Sequence, residues 1–463
     1  MKQLLFILAC VFVFISGCEK KNEQLPPAET APQVQVQTPV PSLKTASLLR
    51  EPIEALLVEH PAQALSVWRQ FHAIKPTLVF LSQDPFLQQI PTELRKEVND
   101  LVLNGSPVEL AEKTSFSSPA PFLLPMMAIS SALRSKLFSE VVWVFPSTVP
   151  KDQLSDKQFR QQLIDLGAVD EEEAQSFTLR EGGFAGRVRE TPFRAVPIDA
   201  LPSLDGPAVL HIDLGYFQPL YKGEIKSRMY PLLYDSLRKL RDSNWDTAAV
   251  SISYSNINGA LPLAVRFIGP TLASLFSKPK NLDEPLPLNW QRRSDALYMI
   301  NFFKNQEIRE LYLQVESEHP EDASPKYELY QISRELKEGD RALDYLGQAV
   351  ALDPVYAVEY LSLASVAKEK GRPDQSIKML RLAEQAMPDN PYISMQLAAQ
   401  LIELNHSEQA IKILDRLLEL PWSKVYYPDM AERLEALAAS GQQERKAEEL
   451  DRREKTHTED PER

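Results

Sequence analysis

Thiols are nearly absent from this chain of 463 residues: its two cysteines, Cys10 and Cys18, both precede Glu19. Beyond them no side chain is available for a disulfide, a thiolate nucleophile or a cysteine-ligated zinc, so the folded part depends on packing for its stability. Long apolar runs are also missing. Past the N-terminus no stretch approaches the ~20 residues of a spanning helix. Positive charge is in deficit, with 51 Lys and Arg against 64 Asp and Glu for a net −13, which disfavours nonspecific binding to nucleic acid or anionic surfaces. No zinc-protease motif and no nucleophile-elbow serine occurs. Gly182, Gly183 and Gly186 lack the strand and helix context of a phosphate loop, and a hairpin is expected there. What remains, 44% hydrophobic and 25% charged, is the composition of a globular protein of two or three domains.

The start of the chain has an address. Lys2 precedes an apolar run over residues 4–15, and Ile15-Ser16-Gly17-Cys18 closes it with small residues before the cysteine. This resembles a bacterial lipoprotein signal. The resemblance implies removal of residues 1–17 and lipid on Cys18; two or more acyl chains suffice for stable anchoring. That covalent lipid is the one non-protein group expected, and no cofactor is. The implied location is the bacterial cell envelope, facing the periplasm, with the outer membrane favoured in a Gram-negative cell because Glu19, not Asp, follows the cysteine. Residues 18–44 are expected to form a lipidated tether, since Pro26, Pro27, Pro32, Pro39 and Pro41 favour extended backbone of ~3.1 Å per residue.

Residues 45–310 alternate between short apolar runs and amphipathic stretches, an α/β pattern. Strands are expected over 77–81, 140–145, 208–214 and 248–254, apolar enough to be covered on both faces. Helices are expected over 52–71, 122–138, 157–166 and 230–240. His60 and His72 read as surface or helix-end histidines, and Arg187, Arg189 and Arg194 as solvated charges.

The last third repeats every 34 residues. Leu329, Leu363 and Leu397 form one column; Ala342, Ser376 and Ala410 a second; Leu346, Leu380 and Leu414 a third; Ala349, Ala383 and Leu417 a fourth. Tyr330, Ala364 and Ala398 add another, and Pro354 and Pro388 end the second helices. The register resembles the tetratricopeptide repeat, in which small residues let paired helices approach. Three repeats are expected over 323–422, an all-α solenoid whose packing rests on residues such as Leu363, Ala364, Leu380, Ala383 and Pro388. Capping helices are expected over 423–455 and a frayed tail over 456–463.

The α/β part resembles a bacterial family related to the arginase and histone-deacetylase fold. The likeness is carried in order by Glu59-His60-Pro61-Ala62-Gln63, Phe80-Leu81-Ser82-Gln83-Asp84, Pro121-Phe122-Leu123-Leu124-Pro125, Val141-Val142-Trp143-Val144-Phe145, His211-Ile212-Asp213-Leu214-Gly215 and Ser251-Ile252-Ser253-Tyr254-Ser255. It implies a three-layer domain with a mainly parallel sheet. Hydrolases of this fold gather carboxylates and imidazoles at strand ends to hold divalent ions that activate water. Here Phe80 and Ser82 stand where the family places Asp and His, His211 and Gly215 where it places Asp. Asp84, His211 and Asp213 are the remnant candidates for one metal. No catalytic residue and no bound metal is expected, and the domain reads as a pseudoenzyme. The expected function is that of an anchored envelope protein that binds or assembles a partner through its repeats, a basic protein segment given the negative balance and not nucleic acid. The alternative is a metal-dependent hydrolase of amide bonds in an envelope substrate.

Overall fold

The structure, a computed structural model, describes residues 44–115, 117–147, 153–255 and 261–443. Cys18, nearly all of the tether and the tail lie outside them. Among the described residues nine strands form one sheet: β1 (Ala46–Ser47), β2 (Ala55–Val58), β3 (Thr77–Leu81), β4 (Glu140–Val144), β5 (Thr178–Arg180), β6 (Gly183–Val188), β7 (Thr191–Val196), β8 (Ala208–Asp213) and β9 (Asp246–Ser253). Their order is β1-β9-β8-β3-β4-β7-β6-β5, with β2 also on β9. The strands β2, β9, β8, β3, β4 and β7 are mutually parallel, and β1, β5 and β6 add antiparallel pairs.

Alternation along the central strands sends side chains to two cores. Leu78, Phe80, Val141 and Trp143 pack on one face with the helices Ala128–Arg134 and Asp156–Asp165. Val79, Leu81, Val142, Val144, Leu210 and Ile252 pack on the other with Met229–Asp242 and Ile268–Ser277. Burial on both faces is why these strands read as continuous apolar runs. From β3 the chain crosses the first face to β4, and from β8 it crosses the second face to β9, so the two connections leave in opposite directions. The crevice at the carboxyl ends of β3 and β8 is thus a topological switch point, where open α/β sheets place their sites.

Two expected elements differ. Residues 52–71 hold strand β2, followed by short turns at Pro61–Ala64, Leu65–Trp68 and Arg69–Phe71 instead of one helix, because Ala55-Leu56-Leu57-Val58 completes the parallel ladder on the outer edge of β9. The boundary at 310 falls inside the helix Asn305–Glu318. That helix and its partner Leu288–Ile300 pack ahead of the first expected repeat, with Ala296, Ile308, Tyr312 and Val315 buried. These residues and Pro320 lie 34 positions before Tyr330, Ala342, Leu346, Ala349 and Pro354, so the period starts one copy earlier than expected.

The expected repeats follow as helix pairs: Ala323–Glu335 with Gly339–Leu352, Val358–Glu369 with Pro373–Ala386, and Pro391–Glu403 with Ser407–Leu418. The expected packing is visible in burial for Ala364, Leu380 and Ala383, which are buried, and Leu363, half-buried against the same core; Pro388 does not pack but stands exposed two residues past the end of its helix. Residues 430–443 are helical with Met430 and Leu434 buried; the remainder of the expected cap lies outside the described residues. No helix among the described residues is long and apolar enough to cross a membrane.

Candidate functional site

At the switch point the residues expected from the strand-end pattern meet a set of serines. Parallel pairing places His211 opposite Ser251 and Asp213 opposite Ser253. The Trp68 indole donates to Ser251 Oγ at 3.2 Å, and His211 Nδ1 lies 2.9 Å from the same oxygen. His211 Nε2 lies 3.1 Å from Ser253 Oγ, which donates to Asp213 Oδ2 at 2.5 Å. Ser255 donates to the same carboxylate oxygen, and the Gly215 amide donates to Oδ1 at 2.9 Å. Counting protons fixes the directions. Ser253 has a single hydroxyl proton and gives it to Asp213, so it accepts from His211 Nε2–H; that leaves Nδ1 bare to accept from Ser251 at 2.9 Å, while Ser251 accepts from Trp68 and has the Leu210 carbonyl, 3.5 Å away, as a longer second acceptor for its proton. The imidazole is neutral and both its nitrogens are engaged.

This network is sealed. His211, Ser251 and Ser253 have no exposed surface and Asp213 is 3% exposed. Burial lowers the His211 pKa to about 3. Burial also raises that of Asp213 to about 6, opposed by its bonds from Ser253, Ser255 and Gly215 and reinforced by the charge of Asp84. Asp84 is itself exposed at the rim, its carboxylate accepting the Phe86 amide at 2.7 Å. Two positions beside this network supply no ligating atom. A Cβ at Gly215 would sit 2.6 Å from Asp213 Oδ1, and Phe80 is stacked on Trp143 with ring centroids 6.3 Å apart. The donor set does not fit a divalent ion, because the His211 lone pair and both Asp213 oxygens already hold protein hydrogens. Among the described residues no group of three His, Cys, Asp or Glu gathers. The serines were missed in the sequence, although Ser251, Ser253 and Ser255 alternate along one face of an otherwise apolar strand.

Other candidates resolve as structure. His60 is buried, not a surface residue, with neither ring nitrogen bonded in the structure and its pKa lowered by burial to about 3; His72 is exposed. The hairpin at Gly182 forms between β5 and β6. Arg194 bonds Glu140 at 2.7 Å, and Arg189 lies 3.4 Å from Glu173.

Two buried arginines join the α/β part to the helices. Arg266 forks onto Glu59, bonds Asp353 through Nε at 2.7 Å and stacks 3.8 Å from the Tyr254 ring centroid. Burial alone would lower its pKa; the bonds and charges of Glu59 and Asp353 outweigh that and raise it. Arg293 donates to Ser324 at 2.8 Å and to Asp322 at 3.1 Å. Between them lies a cleft of about 470 Å³ walled by Tyr230, Trp290 and Tyr356. At the other end Ser423 N donates to the Pro119 carbonyl at 2.8 Å and Tyr426 Oη to that of Phe122 at 3.2 Å.

A second cavity, about 400 Å³, opens on the helices between the first two expected repeats, floored by Leu343, Leu363 and Met379. Its rim carries Arg334, Lys370, Arg372 and Lys378 against Asp340. Arg334 is paired with Glu359 at 3.0 Å.

Comparison with protein families matches residues 367–420 to the tetratricopeptide repeat. No curated protein matches the chain. The C-terminal helical stretch is therefore similar to a repeat that suggests protein–protein interaction.

Proposed function

We propose that this chain is a lipid-anchored envelope protein that holds a protein partner on its helical array, with an α/β part that no longer catalyses. The observation that carries this reading is the repeat match over 367–420 lying within an array of helix pairs packed on a 34-residue period. Such arrays stack into extended surfaces suited to a segment of another protein. The negative balance of the chain favours a basic segment. The cationic rim of the cavity between the first two repeats favours the opposite sign at that edge, so the segment bound there carries carboxylates. The arginase and deacetylase likeness supports a hydrolase ancestry for the α/β part, and the closed hydrogen bonding of His211 and Asp213 supports loss of its metal chemistry. Anchoring at Cys18 and an outer-membrane, periplasm-facing location rest on the signal-like start and Glu19.

Three measurements test this. A photo-reactive amino acid at Val366, 43% exposed on the cavity wall, should yield one dominant protein adduct in cells that weakens when Lys370 and Arg372 are changed to Glu. Absence of any protein adduct would remove the partner. Labelled fatty acid should enter the wild type and not Cys18→Ser. Finding about one zinc or manganese per chain, lost on Asp213→Ala, would favour the hydrolase instead.

A further inference from the structure

The helix pair that opens the array ends in an apolar tip. Between Leu288–Ile300 and Asn305–Glu318 the turn reads Asn301-Phe302-Phe303-Lys304, and Ile300, Phe302 and Phe303 are 48%, 48% and 86% exposed. Phe303 also holds φ at +54°, a left-handed conformation that glycine or asparagine adopts with less strain. A bulky aromatic side chain in that conformation, left almost wholly in water, gains nothing from the fold that would offset the strain.

The neighbouring loop extends the surface. The Arg228 guanidinium lies 5.0 Å over the ring of Tyr298, and that ring is 5.1 Å from Phe302. The same loop presents Ile225, 60% exposed, between exposed Lys222, Lys226 and Arg228. Its acid, Glu224, is turned inward, buried and bonded by the Tyr221 hydroxyl and the Met229 amide, both at 3.1 Å. Lys304 adds a further exposed cation, 3.3 Å from Glu307, and Asp295 is the nearest acid on the preceding helix. In a chain of net −13, cations thus collect around a protruding aromatic turn.

We propose that this tip is a membrane-contact site, placing Phe302 and Phe303 at the headgroup and acyl boundary of a bilayer that contains anionic phosphatidylglycerol, with Lys222, Lys226, Arg228 and Lys304 against the phosphates. A projecting turn offers no groove for a peptide, whereas a deformable interface takes aromatic side chains singly, and surrounding cations complement anionic headgroups. The contact is separate from the lipid on Cys18 and does not depend on it.

The test uses the full chain with Asn301→Cys labelled with the polarity-sensitive dye NBD, on a Cys10→Ser and Cys18→Ser background so that the label has one thiol. With phosphatidylglycerol-containing vesicles the dye should shift to the blue and be quenched by spin-labelled lipid, less so with phosphatidylcholine alone or at high salt. Phe302→Ser with Phe303→Ser should reduce the signal about tenfold. A control label at Val108→Cys, an exposed apolar position of the α/β part, should stay water-like. Water-like emission at position 301 on anionic vesicles overturns the proposal. So does an equal shift at 108, which means general adsorption, or a shift at 301 without vesicles, which means a second copy covers the tip. Failure of the Cys18 anchor reading shows separately, as a wild-type chain that takes up no labelled fatty acid while the dye at position 301 still shifts on anionic vesicles.

Discussion

His211 is wholly buried, and hydrogen bonds at both ring nitrogens leave its imidazole no free position. Its ring lies edge-on to Trp68 with centroids 5.3 Å apart and hydrogen-bonds two serines, an arrangement that holds the neutral imidazole in one tautomer. Because the folded pKa, about 3, lies below the ordinary histidine value of 6.5, the unfolded chain binds a proton in that interval that the folded chain does not. Stability from this residue is complete above pH 6.5 and is lost as pH falls, by up to ~1.4 kcal/mol per pH unit. Asp213 acts in the opposite direction, its raised pKa removing stability as pH climbs from about 4 to about 6. A comparison that leaves Asp213 in place isolates the histidine. In urea unfolding, the margin of wild type over His211→Gln should narrow by about 1.4 kcal/mol for each pH unit between 6 and 4. A margin that stays flat would mean the imidazole is charged or solvated in the folded chain.

Among the elements, the helix pair ahead of the expected repeats bears on how the array folds. Ile308 and Tyr312 pack with Leu329 and Ile332 of the next helix, all four buried, so a fragment cut at Ala323 opens that face to water. A fragment spanning 288–443 should be more stable than one spanning 323–443 by about 4 kcal/mol, two large side chains at ~2 kcal/mol each, read from urea midpoints. Equal midpoints would remove this pair from the cooperative unit. The three later repeats were legible in the sequence because each column packs on a neighbour 34 residues away, a local and regular relation. The first copy was hidden because Asp295 stands in the column of Leu329 and Leu363, exposed where they pack. Strand β2 was misread because a four-residue apolar run fits helix and strand alike, and only pairing with β9 decides between them. The serine network was hidden for the same reason: Ser251 and Ser253 meet His211 across a register of about forty residues that periodicity within either strand does not encode.

The whole molecule is an α/β body with a helical array fastened to it at both ends, and the two ends differ in physics. At the far end Tyr426 packs into the body's apolar core and bonds a carbonyl. At the near end Arg266 is the common partner of three segments, Glu59 after β2, Tyr254 after β9 and Asp353 between repeat helices. Its side chain is 7% exposed while Glu59 and Asp353 keep about a quarter of theirs in water. Removing the guanidinium therefore leaves two facing carboxylates that water reaches only in part. Arg266→Gln should destabilise the chain by about 3 kcal/mol, the low end for a broken buried pair, and should separate one unfolding transition into two as the array loosens from the body. Adding Asp353→Asn should restore part of that loss, because the second substitution removes one of the orphaned charges and leaves Glu59 with a neutral neighbour. Urea unfolding followed by fluorescence and by far-ultraviolet circular dichroism reads both effects: coincident curves at the wild-type midpoint for Arg266→Gln would mean that the apolar contacts of Leu263, Ala264 and Tyr426 hold the two parts together without the clasp.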